Sequence, residues 1–303
     1  MKYTLVLFYV ISFISLPAQY AMNLGTTVSP LRSISHKVGY TDVKVTYSSP
    51  SVNGRTIWGE LEPYDEVWRA GANYATTISF SENVLINEKS IDKGTYALFI
   101  IPREHDDWTI ILNKKAKQWG AFNYSEEEDI IRLSARPHTI YHQESLRYDI
   151  ISDDSRSGVI AVMWDKVKVE FSFKTKLAEA LSSVLEKNLI NATNETRWIN
   201  YIQAAEILLN ENQSLLTARD WIDRAERDAQ LEMEWHPQFY PKDYVLGHLY
   251  WTKSKILAAQ QQYKDAIEYA NHLISIEGQS FYSKEKEDEE IDLKIRIWRS
   301  KMD

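Results

Sequence analysis

Apolar positions along the chain follow two periods, and the change from one to the other near residue 175 divides it in two. From about Ser29 to Lys174 they alternate, or come in short runs broken by turn residues, as half-buried strands do. Val43, Val45 and Tyr47 share one face of a strand that ends at Pro50. Further strands are expected at 77–80, 84–86, 96–101, 108–112, 146–151, 159–164 and 167–173. The last three are separated only by 152–158 and by Asp165-Lys166, and links that short make antiparallel neighbours. Short strands in this number, with turns between them, predict an antiparallel β-sandwich over residues 29–174. The stretch 115–132, with Trp119-Gly120-Ala121-Phe122 inside it, is the longest piece without strand character, and long irregular segments in compact domains are often functional.

From Leu177 onward the period becomes helical. Leu177, Leu181, Val184, Leu185 and Leu189 mark one amphipathic helix, and Trp198, Ile202, Ala205, Leu208 and Leu209 mark a second. Sliding this half on itself by 48 residues places Ile202 on Tyr250, Leu208 on Ile256, Ala218 on Ala266 and Trp221 on Tyr269. Each copy reads as helix, polar turn, helix, and the stretch from Tyr263 to Ala270 looks like the second helix of a tetratricopeptide repeat. The offset exceeds the usual period of about 34 residues, and the insert at 232–241, rich in aromatics and prolines, accounts for the excess. Helices at 177–190 and 288–300 are expected to cap the two copies. The predicted class is α+β: an N-terminal antiparallel β-sandwich followed by an all-α, tetratricopeptide-like helical-repeat region over 175–303.

The N-terminus carries an address. One lysine, an apolar block over 3–16 and then Pro17-Ala18 make the layout of a signal peptide covering 1–18, with Ala21 as the alternative cleavage position. The block falls short of the roughly 20 apolar residues that span a bilayer. The chain contains no cysteine, which removes disulfides, thiolate metal sites, cysteine nucleophiles and a lipoprotein anchor. The expectation is an extracytoplasmic protein, periplasmic or secreted, without a membrane anchor after cleavage. The charge balance, 43 Asp+Glu against 35 Lys+Arg and a net −8, argues against nucleic-acid binding. Most of that excess belongs to residues 175–303, with 16 Lys+Arg and 22 Asp+Glu, so the β half is close to neutral.

Catalytic signatures are absent from the sequence: there is no G-x-S-x-G, no G-x-G-x-x-G, no phosphate-binding loop and no H-E-x-x-H. His138 and His142 follow Pro137 in chain that favours an extended form. Residues four apart in a strand lie about 13 Å apart, too far to share one zinc, so solvent-facing histidines are expected and no metal or cofactor is. The run Asp153-x-Ser155-x-Ser157-Gly158 starts like a calcium loop, but position 164, where the closing acid belongs, is Trp, and a polar hairpin turn is the better reading. The acidic pairs Asp106-Asp107 and Glu60/Glu62 default to solvated turns.

The most individual stretch is 50–77, a long connection that brings together Arg55, Trp58, Tyr64, Trp68, Arg69 and Asn73. Connections on a rigid scaffold are where binding residues concentrate. Arg55 and Arg69 can offer forked donors to a carboxylate, a phosphate or sugar hydroxyls, Asn73 adds a donor and an acceptor, and Trp58, Trp68 or Trp119 offers a stacking face. The candidate ligand set is therefore Arg55, Tyr64, Arg69, Asn73 and Trp119. The competing reading has Arg69 and Asn73 bonding loop backbone and Trp68 plugging the core.

This stretch, followed by Gly94-Thr95-Tyr96-Ala97-Leu98-Phe99, by 108–114 and by Gln118-Trp119-Gly120-Ala121, resembles the bacterial family of domain of unknown function 2911 over about residues 29–174. The helical tail is similar to an extension found on some members. The resemblance implies an extracytoplasmic bacterial protein, of a kind common in the Bacteroidetes, with no established activity. The family pattern often reads W-R-T-G-A-N-E-A-T, and this chain has Ala70 in place of the Thr and Tyr74 in place of the Glu. If that Glu were an acid or base in relatives, this chain lacks it, which weighs against an enzyme. The leading expectation is a non-catalytic binding or scaffold protein, with a glycan or small polar ligand on the β domain and a protein partner on the helical repeats. The alternative is a cell-envelope hydrolase acting on glycan or peptide through Arg55, Arg69 and an acid such as Glu60, Asp65 or Glu126. A third is a structural role in which the repeats oligomerise.

Overall fold

The computed structural model describes residues 28–192, 194–235, 242–275 and 284–302. The expected signal peptide lies outside them, as do residues 236–241 of the insert. Ten strands come first: β1 (Leu31–Val38), β2 (Thr41–Ser48), β3 (Ala72–Phe80), β4 (Val84–Ile86), β5 (Lys89–Ile91), β6 (Gly94–Ile101), β7 (Trp108–Asn113), β8 (Asp129–Ala135), β9 (His138–Ile151) and β10 (Ser157–Thr175). They form a six-stranded sheet in the order β1-β2-β3-β6-β7-β8 and a four-stranded sheet in the order β5-β4-β10-β9, antiparallel throughout. Along β2 the alternation sends Val43, Val45 and Tyr47 inward while Asp42 and Lys44 face water. Their counterparts across the core include Tyr148 and Ile150 on β9 and Trp164, Val169, Phe171 and Phe173 on β10. Each of these buried side chains contributes about 2 kcal/mol or more, which makes this the principal core of the β half.

Two strand expectations need correction. Residues 159–164 and 167–173 belong to the single strand β10, and Asp165-Lys166 is not a hairpin turn but a bulge. The register shifts on both sides of Asp165, whose φ of 52° lies in the left-handed region that a short polar residue tolerates. β9 extends back to His138 alongside, so the ladder has a partner and continues past the irregularity. The stretch 115–132 also ends earlier than expected. β8 begins at Asp129, with Ile131, Leu133 and Ala135 alternating inward.

Six helices follow: α1 (Leu177–Asn191), α2 (Asn194–Asn210), α3 (Leu215–Trp235), α4 (Lys242–Ala259), α5 (Tyr263–Ser275) and α6 (Lys284–Arg299). The starts of α2 and α4, and those of α3 and α5, are each 48 residues apart, as the internal comparison predicts. Both α2 and α4 close on a residue with positive φ, Asn212 and Gln261, with the next N–H returning to Leu208 O (2.8 Å) and Leu257 O (2.9 Å). Ala218, Ala225 and Ala229 on α3, and Ala266 and Ala270 on α5, are fully buried where helices approach closely. The first residues of the insert, 232–235, lengthen α3 rather than forming a separate excursion.

The halves touch. Tyr40, between β1 and β2, packs into the helical core, Ser183 on α1 donates to Glu82 (3.1 Å), and Asn83 donates to Glu179 (3.1 Å). Among the described residues no helix is long and apolar enough to cross a membrane.

Candidate functional site

The connection between β2 and β3 is tied first to β9. Val52 N–H donates to Glu144 O (2.8 Å), Leu146 N–H to Pro50 O (2.8 Å) and Ser49 Oγ to Leu146 O (2.7 Å). The chain then reverses through Asn53 and Gly54, both at positive φ, and Arg55 closes this turn by donating Nε to Val52 O (3.0 Å) and Nη2 to Ser51 O. A second tight turn brings Glu62 N–H to Ile57 O (2.9 Å) and Gly59 N–H to Glu62 O (3.0 Å). Gly59 has φ 87°, and a Cβ there would lie 2.8 Å from the Tyr64 ring, so Tyr64 is the lid of this turn.

Behind these turns stands a box of four tryptophans. Trp68 bridges to Ile100 of β6 through paired backbone bonds and stacks on Trp164 of β10 at 5.8 Å and 19°. Trp58 meets Trp68, Trp108 and Trp164 edge-on, with centroids at 5.4, 4.6 and 5.8 Å. Glu62 pairs with Trp58 in an isolated bridge, and the Trp68 indole N–H faces both its carboxyl and Gly71 O (3.3 Å).

The turn into β3 is held just as closely. Ala70 and Asn73 adopt positive φ (53° and 59°), and Ala70 O accepts from Thr76 Oγ1 (2.8 Å) and from the buried Tyr148 hydroxyl (2.7 Å). Only glycine fits at position 71, because a Cβ would come within 2.8 Å of Thr76 Oγ1 and 3.1 Å of Ser48 O. Asn73 donates to Ser48 Oγ (3.3 Å), and its carbonyl accepts the Gly120 N–H (2.9 Å).

Arg69, between these two constructions, is left over. Its Nε is buried and has no hydrogen-bond partner among the described residues, and the same is true of Trp58 Nε1 and Trp164 Nε1. Beside it the Glu62 carboxyl is pushed up to about 7, because burial penalises its charge more than the positive charges of Arg69 and Arg55 and the Trp68 N–H favour it. The solvated turn expected for Glu60/Glu62 therefore fits Glu60, which is exposed, and fails for Glu62, which the tryptophans desolvate. Of the other acids considered, Asp65 pairs with Arg103 (2.6 Å) and Glu126 with Arg132 (3.0 Å).

Trp119 lies elsewhere. The loop after β7 crosses the outer face of the six-stranded sheet and is pinned along its length. Asn113 donates to Ser125 O (3.0 Å), Gln118 to Lys115 O (2.7 Å), and Ala75 N–H to Gln118 O (3.0 Å). Tyr124 packs on Phe99 and donates to Asp129 (2.7 Å); burial, and then that bond, raise the pKa of its hydroxyl. At the tip Trp119 meets Tyr74 edge-on (4.9 Å, 84°), and Gly120 takes φ 63° with the Phe122 ring directly over it. These three aromatics remain 52%, 62% and 86% exposed for Trp119, Tyr74 and Phe122. The candidate set is thus divided: Arg55, Tyr64 and Arg69 gather at the tryptophan box, while Asn73 and Trp119 belong to the outer crossing.

On β9, His138 is exposed, and His142 lies between Asp165 and Glu144 (3.1 Å to each), which raise its pKa. Asp154 Oδ1 closes the 152–157 turn by accepting from Arg156 and Ser157 N–H (2.8 and 2.9 Å). In the helical half an open groove of about 450 Å³ runs along α5, lined by Lys264, Ile267, Glu268, Asn271, His272 and Ser275.

No curated protein and no solved structure matches the chain. Residues 29–173 match a family described as protein of unknown function (DUF2911), the span of the two sheets with their arginine-tryptophan loop and aromatic crossing. Over residues 29–173, just under half of its length, the chain is similar to the DUF2911 family.

Proposed function

We propose that this is a non-catalytic extracytoplasmic binding protein whose β-sandwich takes a glycan on the Tyr74–Trp119–Phe122 face and whose helical repeats dock a protein partner. The observation that carries the glycan reading is a contrast within one loop: its backbone is tied down at both limbs while its largest apolar side chains face water. Exposed aromatic surface of this kind marks binding sites, and rings already fixed lose little freedom when a ligand arrives. A pyranose ring offers C–H faces to the aromatics and hydroxyls to the water and polar groups around them. The repeat offset and the groove along α5 support the partner-docking role. Localisation rests on the basic, apolar and small-residue pattern of 1–18. It predicts that protein recovered from the producing cell begins at Gln19, and an intact Met1 in the cytosol contradicts it.

Affinity electrophoresis through gels containing soluble cell-envelope and plant polysaccharides tests the glycan site. At least one polymer should retard the wild type, and Trp119→Ala should cost about 2 kcal/mol, roughly thirtyfold in affinity, as for a central aromatic anchor. Retardation that is absent, or unchanged in Trp119→Ala and Phe122→Ala, contradicts it. The alternative, an envelope hydrolase, draws support from Glu62, which at neutral pH is protonated about half the time and can act as a general acid. It requires turnover of a glycan or peptide substrate that Glu62→Gln abolishes.

A further inference from the structure

We propose that the tryptophan box is a second binding site, for a small oxyanion, in which Arg69 and the Trp58 indole are the donors and Glu62 is the competing internal carboxylate. The site goes beyond the glycan face and is independent of it. An arginine cannot shed its charge, and a buried donor without an acceptor keeps its desolvation cost, which is larger when it is charged. Arg69 Nε is in that condition, and so are the neighbouring Trp58 and Trp164 N–H groups. An oxyanion is the ligand type that would accept from such donors. A neutral polyol leaves the guanidinium uncompensated and a cation is repelled, so the ligand is an anion bearing oxygens. The rings of Trp68, Trp108 and Trp164 each lie 4.6–5.8 Å from Trp58, which limits the ligand to a small one.

Glu62 is the one acid beside Arg69 that could replace the ligand, yet no hydrogen bond or ion pair within 4.0 Å joins the two among the described residues. The charged groups acting on it are Arg69 and Arg55, and Arg55 is already committed to Ser51 and Val52 carbonyls. From β7 and β10 the groups facing this region are the uncharged rings of Trp108 and Trp164. With Glu62 neutral, the cationic site is open to an anion; with Glu62 ionised, its carboxylate opposes one. Because Glu62 titrates at about 7, its protonated fraction falls from about nine-tenths at pH 6 to about one-tenth at pH 8, and anion affinity should fall roughly tenfold.

The test is titration of the mature full-length chain with acetate and with sulfate, neither of which titrates in this range, followed by tryptophan emission and by calorimetry at pH 6 and pH 8. At least one anion should change the emission at pH 6, bind about tenfold more weakly at pH 8 and take up a proton at the higher pH. Acetate and sulfate separate a planar carboxylate site from a tetrahedral one. Arg69→Ala should lose binding, and the isosteric Glu62→Gln should bind equally at both pH values. Trp119→Ala should bind as the wild type, which separates this site from the glycan face. The proposal is overturned if neither anion acts at pH 6, if folded Arg69→Ala binds normally, or if Glu62→Gln keeps the pH dependence; should Arg69→Ala fail to fold, Glu62→Gln decides.

Discussion

A buried lysine in the helical half, Lys253, and a half-buried arginine in the β half, Arg69, are treated in opposite ways. Lys253 on α4 is 5% exposed in its side chain, and Nζ donates to Asp223 (2.7 Å) and to Glu226 beneath the Tyr269 ring, 4.5 Å from its centroid. Burial alone would lower its pKa, but the bonds to Asp223, Glu226 and Tyr269 outweigh that and raise it. Asp223 in turn accepts from Arg219 (2.9 Å), so the network closes within the helices. Arg69 is half-buried, and its buried Nε has no such acceptor among the described residues. A cation whose counter-charge is supplied by the fold belongs to the fold. One without an acceptor for its buried N–H, on a turn held by Thr76, Tyr148 and Ser48, is the candidate for a ligand contact.

The largest effect that can break this comparison is at Lys253. Lys253→Met should destabilise the helical half by about 3 kcal/mol, because it strands the Glu226 carboxylate in a partly buried site and leaves Asp223 with Arg219 alone. Chemical denaturation followed by far-UV circular dichroism reads it, and a loss below about 1 kcal/mol removes the contrast. Glu62→Gln should act next, in the other direction. The native Glu62 binds its proton more tightly than the unfolded chain does, about 7 against 4.5, so its contribution to stability falls as pH rises through that window. The variant should match the wild type at pH 4 and, after a discount for partial solvation, be roughly 1–2 kcal/mol more stable at pH 8. Urea midpoints at the two pH values check this; a pH-independent difference contradicts it. Smaller again, Tyr148→Phe should cost about 1 kcal/mol, since Ala70 O keeps its bond from Thr76. A larger loss in thermal unfolding, of the size expected at Lys253, means that the Ala70 turn depends on that hydroxyl.

Where a pattern is local, the chain announces its fold. The alternation of Val43, Val45 and Tyr47 and the 48-residue helical offset are both read directly, because burial on one face imposes a period. β1 escapes such reading because seven of its eight residues are exposed or half-exposed; backbone pairing to β2, not an apolar face, holds it. Asp165-Lys166 misleads for the opposite reason, since the polar pair that would make a turn also suits a bulge once β9 runs alongside. The candidate binding residues follow the same division. Arg55, Trp58, Tyr64 and Arg69 are conspicuous in one stretch, but Trp108 and Trp164 join them only through the meeting of β7 and β10 with the loop. Glu62 looks solvated because its desolvation is made by those distant rings. Trp119 looks like a companion of Arg69, whereas the Gly120 to Asn73 backbone bond sends it to the outer face.

The most direct measurement is a parallel one: thermal unfolding of wild type, Arg69→Ala and Lys253→Met, with each variant also titrated with sulfate and acetate at pH 6. Arg69→Ala should stay within about 1 kcal/mol of the wild type but no longer respond to the anion, whereas Lys253→Met should lose several kcal/mol and any molecules still folded should bind normally. An Arg69→Ala protein as damaged as Lys253→Met, or one that binds the anion as before, would contradict that expectation.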